Sequence, residues 1–138
     1  MELDQALAFA GARNHGVLAT IRRDARPQLS NIVYRLDGAV ARISVTADRA
    51  KTRNLERDPR ASLYVVGDDF WHYVVLDGMA ELTPVAGAPD DATVEELVGL
   101  YRAISGEHPD WDEYRRVMVD ERRLVVRLSI DRAYGMMP

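Results

Sequence analysis

At 138 residues the chain is the size of one ordinary domain, and a single domain over residues 1–138 is expected. With 47% hydrophobic and 29% charged residues it can bury a real core, which excludes a disordered tail, and the lack of cysteine excludes disulfide frameworks, Cys-based zinc sites and thiol catalysis. A net charge of -4 argues against nucleic acid as the main partner.

Leu3, Leu7, Phe9 and Ala10 predict a short amphipathic helix ending near Gly11. The acidic start (Met1, Glu2, Leu3, Asp4) and the lack of any run of about 18 apolar residues lead us to expect a cytoplasmic protein with no membrane partner. Strands follow the helix. Gly16 to Ile21 is apolar and ends in the polar turn Arg22 to Pro27, and Gln28 to Leu36 resumes as a strand, with Pro27 where a strand start tolerates it. Asp37-Gly38 signals a hairpin into Val40 to Val45. Asp48 is then a candidate N-cap for a short helix over Ala50 to Arg57, stopped by Asp58-Pro59. Ala61 to Val66 and Trp71 to Leu82 read as two more strands, the second with a bulge or bend at Asp77-Gly78.

Val94, Leu97, Val98, Tyr101 and Ile104 share one helical face, and Gly106 ends that helix. Asp110-x-x-Glu113 is a capping box for a second helix carrying Trp111, Tyr114 and Met118. Leu124, Val126, Leu128 and Ile130 alternate in a closing strand over Arg123 to Ile130. Six strands, mostly joined by tight turns, predict a mainly β protein, a six-stranded antiparallel barrel with peripheral helices.

The densest chemistry lies in Val45 to Asn54. A strand end leads directly into a helix start bearing Arg49, Lys51 and Arg53, and Lys51 is the chain's only lysine. Open N–H groups and the macrodipole already make a helix start positive, so first-turn cations oppose it by roughly 0.3–1 kcal/mol each unless an anion is bound. That favours a phosphate site, though a solvated helix start offset by Asp48 fits the spacing as well. In the second strand, Gln28, Ser30 and Ile32 share one face and Leu29, Asn31 and Val33 the other. This fits either a wet edge strand or a strand whose amides and hydroxyls bind the rim of a ring system. His15, His72 and His108 are scattered, giving no metal signature, and no Walker loop, GxGxxG or nucleophile elbow is present.

Three segments resemble the pyridoxamine-5'-phosphate-oxidase-like split-barrel superfamily: Gly16-Val17-Leu18-Ala19-Thr20, Arg26-Pro27-Gln28-Leu29-Ser30-Asn31, and Arg49-Ala50-Lys51-Thr52-Arg53-Asn54-Leu55. The late insert narrows the resemblance to the actinobacterial B group of flavin/deazaflavin oxidoreductases, through Ala88-Pro89-Asp90-Asp91, Leu100-Tyr101-Arg102, Gly106-Glu107-His108 and Asp110 to Arg115. The resemblance implies a homodimer with coenzyme F420 at the subunit interface. The cofactor phosphate would lie on Arg49 and Lys51, with Asn54 of the same Arg-x-Lys-x-x-Asn segment also among the cofactor-binding residues. Its ring would lie along Gln28, Ser30 and Asn31 near Thr46, with Trp71 and Tyr134 closing the site. The implied activity is hydride transfer from reduced deazaflavin to an electron-poor small molecule, such as an enone, a quinone or a bilin-like tetrapyrrole. An FMN-binding oxidase-like enzyme and a non-catalytic flavin or deazaflavin carrier remain the alternatives. No catalytic side chain is assigned.

Overall fold

A computed structural model describes residues 1–138. Helix α1 is Leu3–Gly11, followed by strands β1 His15–Ile21, β2 Pro27–Val33, β3 Arg35–Asp37 and β4 Val40–Thr46. Helix α2 is Ala50–Arg57, strand β5 Arg60–Val66 and strand β6 Tyr73–Leu82. Helices α3 Ala92–Ser105 and α4 Trp111–Asp120 precede strand β7 Arg123–Met136. All strand pairs are antiparallel, in one curled sheet of order β2-β1-β5-β6-β7-β4-β3. The fold is the mainly β, antiparallel split barrel expected from the sequence.

The barrel is split because β2 and β3 are consecutive in the chain yet lie at opposite edges of the sheet. The sequence reads Gln28 to Leu36 as one strand; the chain breaks it at Tyr34, which raises the count from six strands to seven. Tyr34 is fully buried. Its hydroxyl donates to the Ala10 carbonyl at 2.6 Å and its N–H to the Asn14 carbonyl at 2.9 Å, so it is tied to α1 and the following link rather than to a ladder. Period-2 alternation runs unbroken through this switch, so the pattern does not reveal it.

The last strand also runs six residues beyond the expected Ile130, because β6 is long enough to pair Tyr73 through Leu82 with Met136 through Val126. The register shifts at Asp77/Gly78, where a bend was expected. A Cβ at Gly78 would collide with the Ser129 carbonyl oxygen, so only glycine lets the two strands approach there.

Leu18, Ile43, Leu63, Val65, Leu76, Val126 and Leu128 point into the barrel and are buried there. Burying each such side chain contributes roughly 1.5–3 kcal/mol against leaving it exposed. Leu3, Leu7 and Phe9 of α1 pack against this core. A second, smaller core forms where the outer side of β7 meets α3 and α4, from Val125, Val94, Leu97, Val98 and Met118. Both helices start on a capped Asp: Asp91 accepts from the Val94 N–H at 2.9 Å and Asp110 from the Glu113 N–H at 3.1 Å.

Candidate functional site

On the outer face of β4 and β7, Arg42 stands opposite Arg127, Ser44 opposite Val125, and Thr46 opposite Arg123. The Arg42–Arg127 step is closed from within. Glu96 of α3 bridges both guanidinium groups, with Arg42 at 3.4 Å, and Glu81 takes Arg127 at 2.6 Å. The hydrogen bond from Arg127 is the main reason the Glu96 carboxyl sits below its usual range.

Past Val125 the helices lift away from the sheet and leave a cavity of about 530 Å³. Asn31 and Val33 of β2 form one side, Ser44 and Thr46 of β4 the floor, and Tyr101, Ile104, Tyr114 and Met118 of the helical pair the roof. The cations Arg49, Lys51 and Arg123 also line it, and no carboxylate does. Lys51 is held below the usual ammonium range, first by burial and then by Arg49 and Arg123. The Thr46 hydroxyl oxygen is buried with no hydrogen-bond partner. Its proximity is the main cause that holds the nearby Asp48 carboxyl below its usual range, ahead of Asp48's own backbone, yet the pair falls short of hydrogen-bond geometry.

Asp48 does not cap α2, contrary to the sequence expectation. The N-cap is Arg49, in an extended conformation with no side-chain acceptor (φ -72°, ψ 150°). The first-turn N–H groups of α2 therefore remain open beside Lys51. Thr52 instead ties the helix back to β4 by donating to the Thr46 carbonyl at 2.7 Å. On its far side, Arg49 also borders a hollow that carries Asp48, Asp120 and Glu121.

Of the residues singled out from sequence, Arg49, Lys51, Thr46 and Asn31 meet in this one cavity. Gln28 and Asn54 border a different hollow on the other flank of α2, together with Arg22, Arg23, Arg53 and Arg57. There they belong to a polar chain. Asn54 donates to the Thr20 hydroxyl at 3.1 Å, Thr20 is 3.4 Å from the Gln28 carbonyl oxygen, and the Gln28 amide nitrogen is 3.2 Å from Ser30. Trp71 lies at the β5–β6 tip with Phe70 stacked edge-on, 72% exposed. Tyr134 is 56% exposed on β7 opposite Val75. Neither lines the cavity of its own chain. Sequence reasoning missed Arg123, Ser44 and the roof. Tyr101 and Ile104 end an apolar stripe that is visible in the sequence, but the long-range pairing of Thr46 with Arg123 leaves no local trace.

The family model for pyridoxamine 5'-phosphate oxidase matches residues 3–137. The chain belongs to that family. It is similar to an F420H(2)-dependent biliverdin reductase of Mycobacterium tuberculosis, 27% identical over 134 residues that cover 96% of this chain and 86% of that one. Among solved structures, an F420 reductase shares the fold at a TM-score of 0.68 and 23% identity, covering 94% of this chain and 95% of its own. A heme-binding protein from Mycobacterium smegmatis aligns at a TM-score of 0.65 and 28% identity, covering 97% of this chain and 55% of that one.

Proposed function

We propose that this chain is a coenzyme F420-dependent oxidoreductase that passes a hydride to an electron-poor small organic acceptor. The observation that carries the reading is the cavity of three cations without a carboxylate, beside an uncapped helix start. Such a place is electrostatically unfinished without an anion. The F420H(2)-dependent relative, similar over nearly the whole chain, supports the choice of cofactor.

In this reading Arg49 and Lys51 hold the cofactor phosphate, Thr46 and Asn31 face the ring end, and the helical pair shields the site from water. When bound, the reduced deazaflavin supplies the hydride, and the protein's task is orientation. Tyr114 is poorly suited to act as a proton donor. The Tyr114 hydroxyl already donates to the Leu97 carbonyl at 3.1 Å, and burial pushes its pKa up to about 12. No histidine lines the cavity, and no general acid is assigned, since solvent can protonate the product.

The active unit in this reading is a homodimer. Asn31, Val17, Tyr64, Val75 and Tyr134 form one row across β2, β1, β5, β6 and β7, beside a row that includes Val33, Val66, Tyr73 and Met136. Leu29, Val33, Val66, Tyr134 and Met136 leave this face both apolar and exposed. Because Asn31 belongs to the face and to the cavity, a second copy seated here would wall the site, and Tyr134 and Trp71 would reach a cofactor only across that interface. Gln28, Ser30 and Asn54 would act behind the ring, by fixing β2 against α2.

FMN is the second reading, since its phosphate meets the same cations; a carrier that binds without turnover is the third. Titration of the purified protein with F420 and with FMN separates the first two. Tighter binding of F420, and oxidation of its reduced form by an acceptor panel of enones, quinones and bilins, is the expected result. Preference for FMN overturns the cofactor assignment, and F420 binding without turnover by any acceptor leaves the carrier.

A further inference from the structure

Arg123 opens β7 directly opposite Thr46, where β4 gives way to the turn before α2. This register brings a cation from the end of the chain to the site built by the segment around Lys51. Its Nε donates to Glu121 at 2.9 Å and one terminal nitrogen to the Ser44 hydroxyl at 3.3 Å. A guanidinium carries five N–H donors in a rigid fork, so those two bonds leave three donors for a ligand. Glu121 grips only the inner Nε and lies outside the cavity lining, so it fixes the fork without covering it. Ser44 accepts from Arg123, which leaves its own O–H free to donate, and the Thr46 hydroxyl beside it is buried and unpartnered.

We propose that Arg123 is a third anion-binding side chain of this cavity, reading the phosphate ester of the ligand together with Arg49 and Lys51 and with the Ser44 and Thr46 hydroxyls as supporting donors. The proposal rests on the reading that a phosphate-bearing flavin or deazaflavin occupies the cavity, and it adds a residue from a different part of the chain. Its electrostatic consequence is already present in the free protein. Arg49 and Arg123 both depress the Lys51 ammonium on top of its burial, and an anion between the three groups would relieve that repulsion. Fork geometry rather than charge alone suits the tetrahedral oxygens of a phosphate ester, whether a monoester or a diester.

The test compares ligands that differ only in the phosphate-bearing tail: FMN against riboflavin, and F420 against its phosphate-free deazaflavin riboside. Affinities come from fluorescence titration, with thermal melting as a check on folding. In the unaltered chain the phosphate-bearing member of at least one pair binds more tightly. Arg123→Gln is expected to cut that preference at least tenfold while leaving the phosphate-free member's affinity in place. If Arg123→Gln does not fold, Arg123→Lys serves, since it keeps a charge but loses the fork, and a threefold or greater fall in the same preference is expected. An unchanged preference in the folded variant, or an equal loss for both members of a pair, overturns the proposal and leaves the cavity reading standing. Absence of any preference for phosphate in the unaltered chain overturns both.

Discussion

The outer face of β4 and β7 carries cations along its length, yet its two halves are finished differently. In the middle, Arg42 and Arg127 are closed by Glu96, with Glu81 and Asp37 completing the set. At the end, Arg49 and Lys51 have no carboxylate partner, and Arg123 has only Glu121 on its inner nitrogen. The strands, the face and the helical cover are the same. Charge that a protein neutralises with its own residues specifies its packing, whereas charge left open against a cavity awaits something from outside. The two helix starts of the insert repeat the first pattern with Asp91 and Asp110, and the start of α2 repeats the second.

The sharpest way to break this comparison is to remove the open charges. Charge-assisted bonds are worth roughly 1.5–3 kcal/mol, so Arg49→Ala and Lys51→Ala should each lower F420 affinity by at least about tenfold. Neither should lower the unfolding free energy by more than ~0.5 kcal/mol, because neither side chain has an internal partner to lose. Titration and urea unfolding of the same samples check both halves. A variant that loses stability but keeps its affinity would show that the charge is structural after all.

The opposite substitution is Glu96→Gln. Its partners are only partly covered, so the cost lies between that of an exposed pair and that of a buried pair broken on one side, about 1–3 kcal/mol. Affinity for the cofactor should hardly change. The pH dependence follows from the same carboxylate. Its folded-state pKa lies below the ordinary 4.5, first because of the Arg127 hydrogen bond. The stability it provides is therefore complete above that value and is lost as the pH falls through the folded one. Acid unfolding curves of the wild type and of Glu96→Gln should converge as the carboxylate protonates.

The sequence made the barrel legible wherever strands alternate and turns punctuate them, and it made Arg49 and Lys51 legible because cations at a helix start oppose the dipole. It left three things unreadable. Tyr34 changes sheet edge without disturbing the alternation; Arg132 and Asp131 end the apolar pattern while pairing with β6 carries the strand on; and Arg123 reaches the site only through register. Each depends on which distant segment lies alongside, which composition and periodicity do not encode. Gln28 and Asn54 show the same dependence on long-range pairing. Their residue types suit a ligand, and the fold also uses them to link β1, β2 and α2, a contact between segments that the sequence does not reveal.

Tyr34 supplies a smaller, alkaline effect within the closed part of the molecule. Burial pushes its pKa up to about 12, and that of Tyr114 equally. A raised value means that the stabilisation is complete below the ordinary 10.0 and is lost as the pH rises toward 12. Tyr34→Phe removes Tyr34's share of this slope. It also removes one donor from the Ala10 carbonyl, which still accepts from the Arg13 N–H at 3.0 Å, so the cost near neutral pH is that of one ordinary hydrogen bond, about 0.5–1.5 kcal/mol. Denaturant unfolding at pH 7 and at pH 11 measures the two effects separately.

The smallest expected effect is the most direct check on the open helix start. A capping aspartate is worth about 0.5–2 kcal/mol, so Asp91→Ala should cost that much, since its carboxylate holds the N–H groups of Val94, Gly87 and Ala88. Asp48→Ala should stay within ~0.5 kcal/mol, because Asp48 is exposed and α2 begins on Arg49 with no side-chain cap. On the proposed reading of the site, removing that nearby negative charge should tighten phosphate binding at Arg49. A loss of 1 kcal/mol or more for Asp48→Ala in urea would mean that the carboxylate closes the helix start in solution. The positive end of α2 would then be finished from within, as the starts of α3 and α4 are, and would no longer call for a ligand.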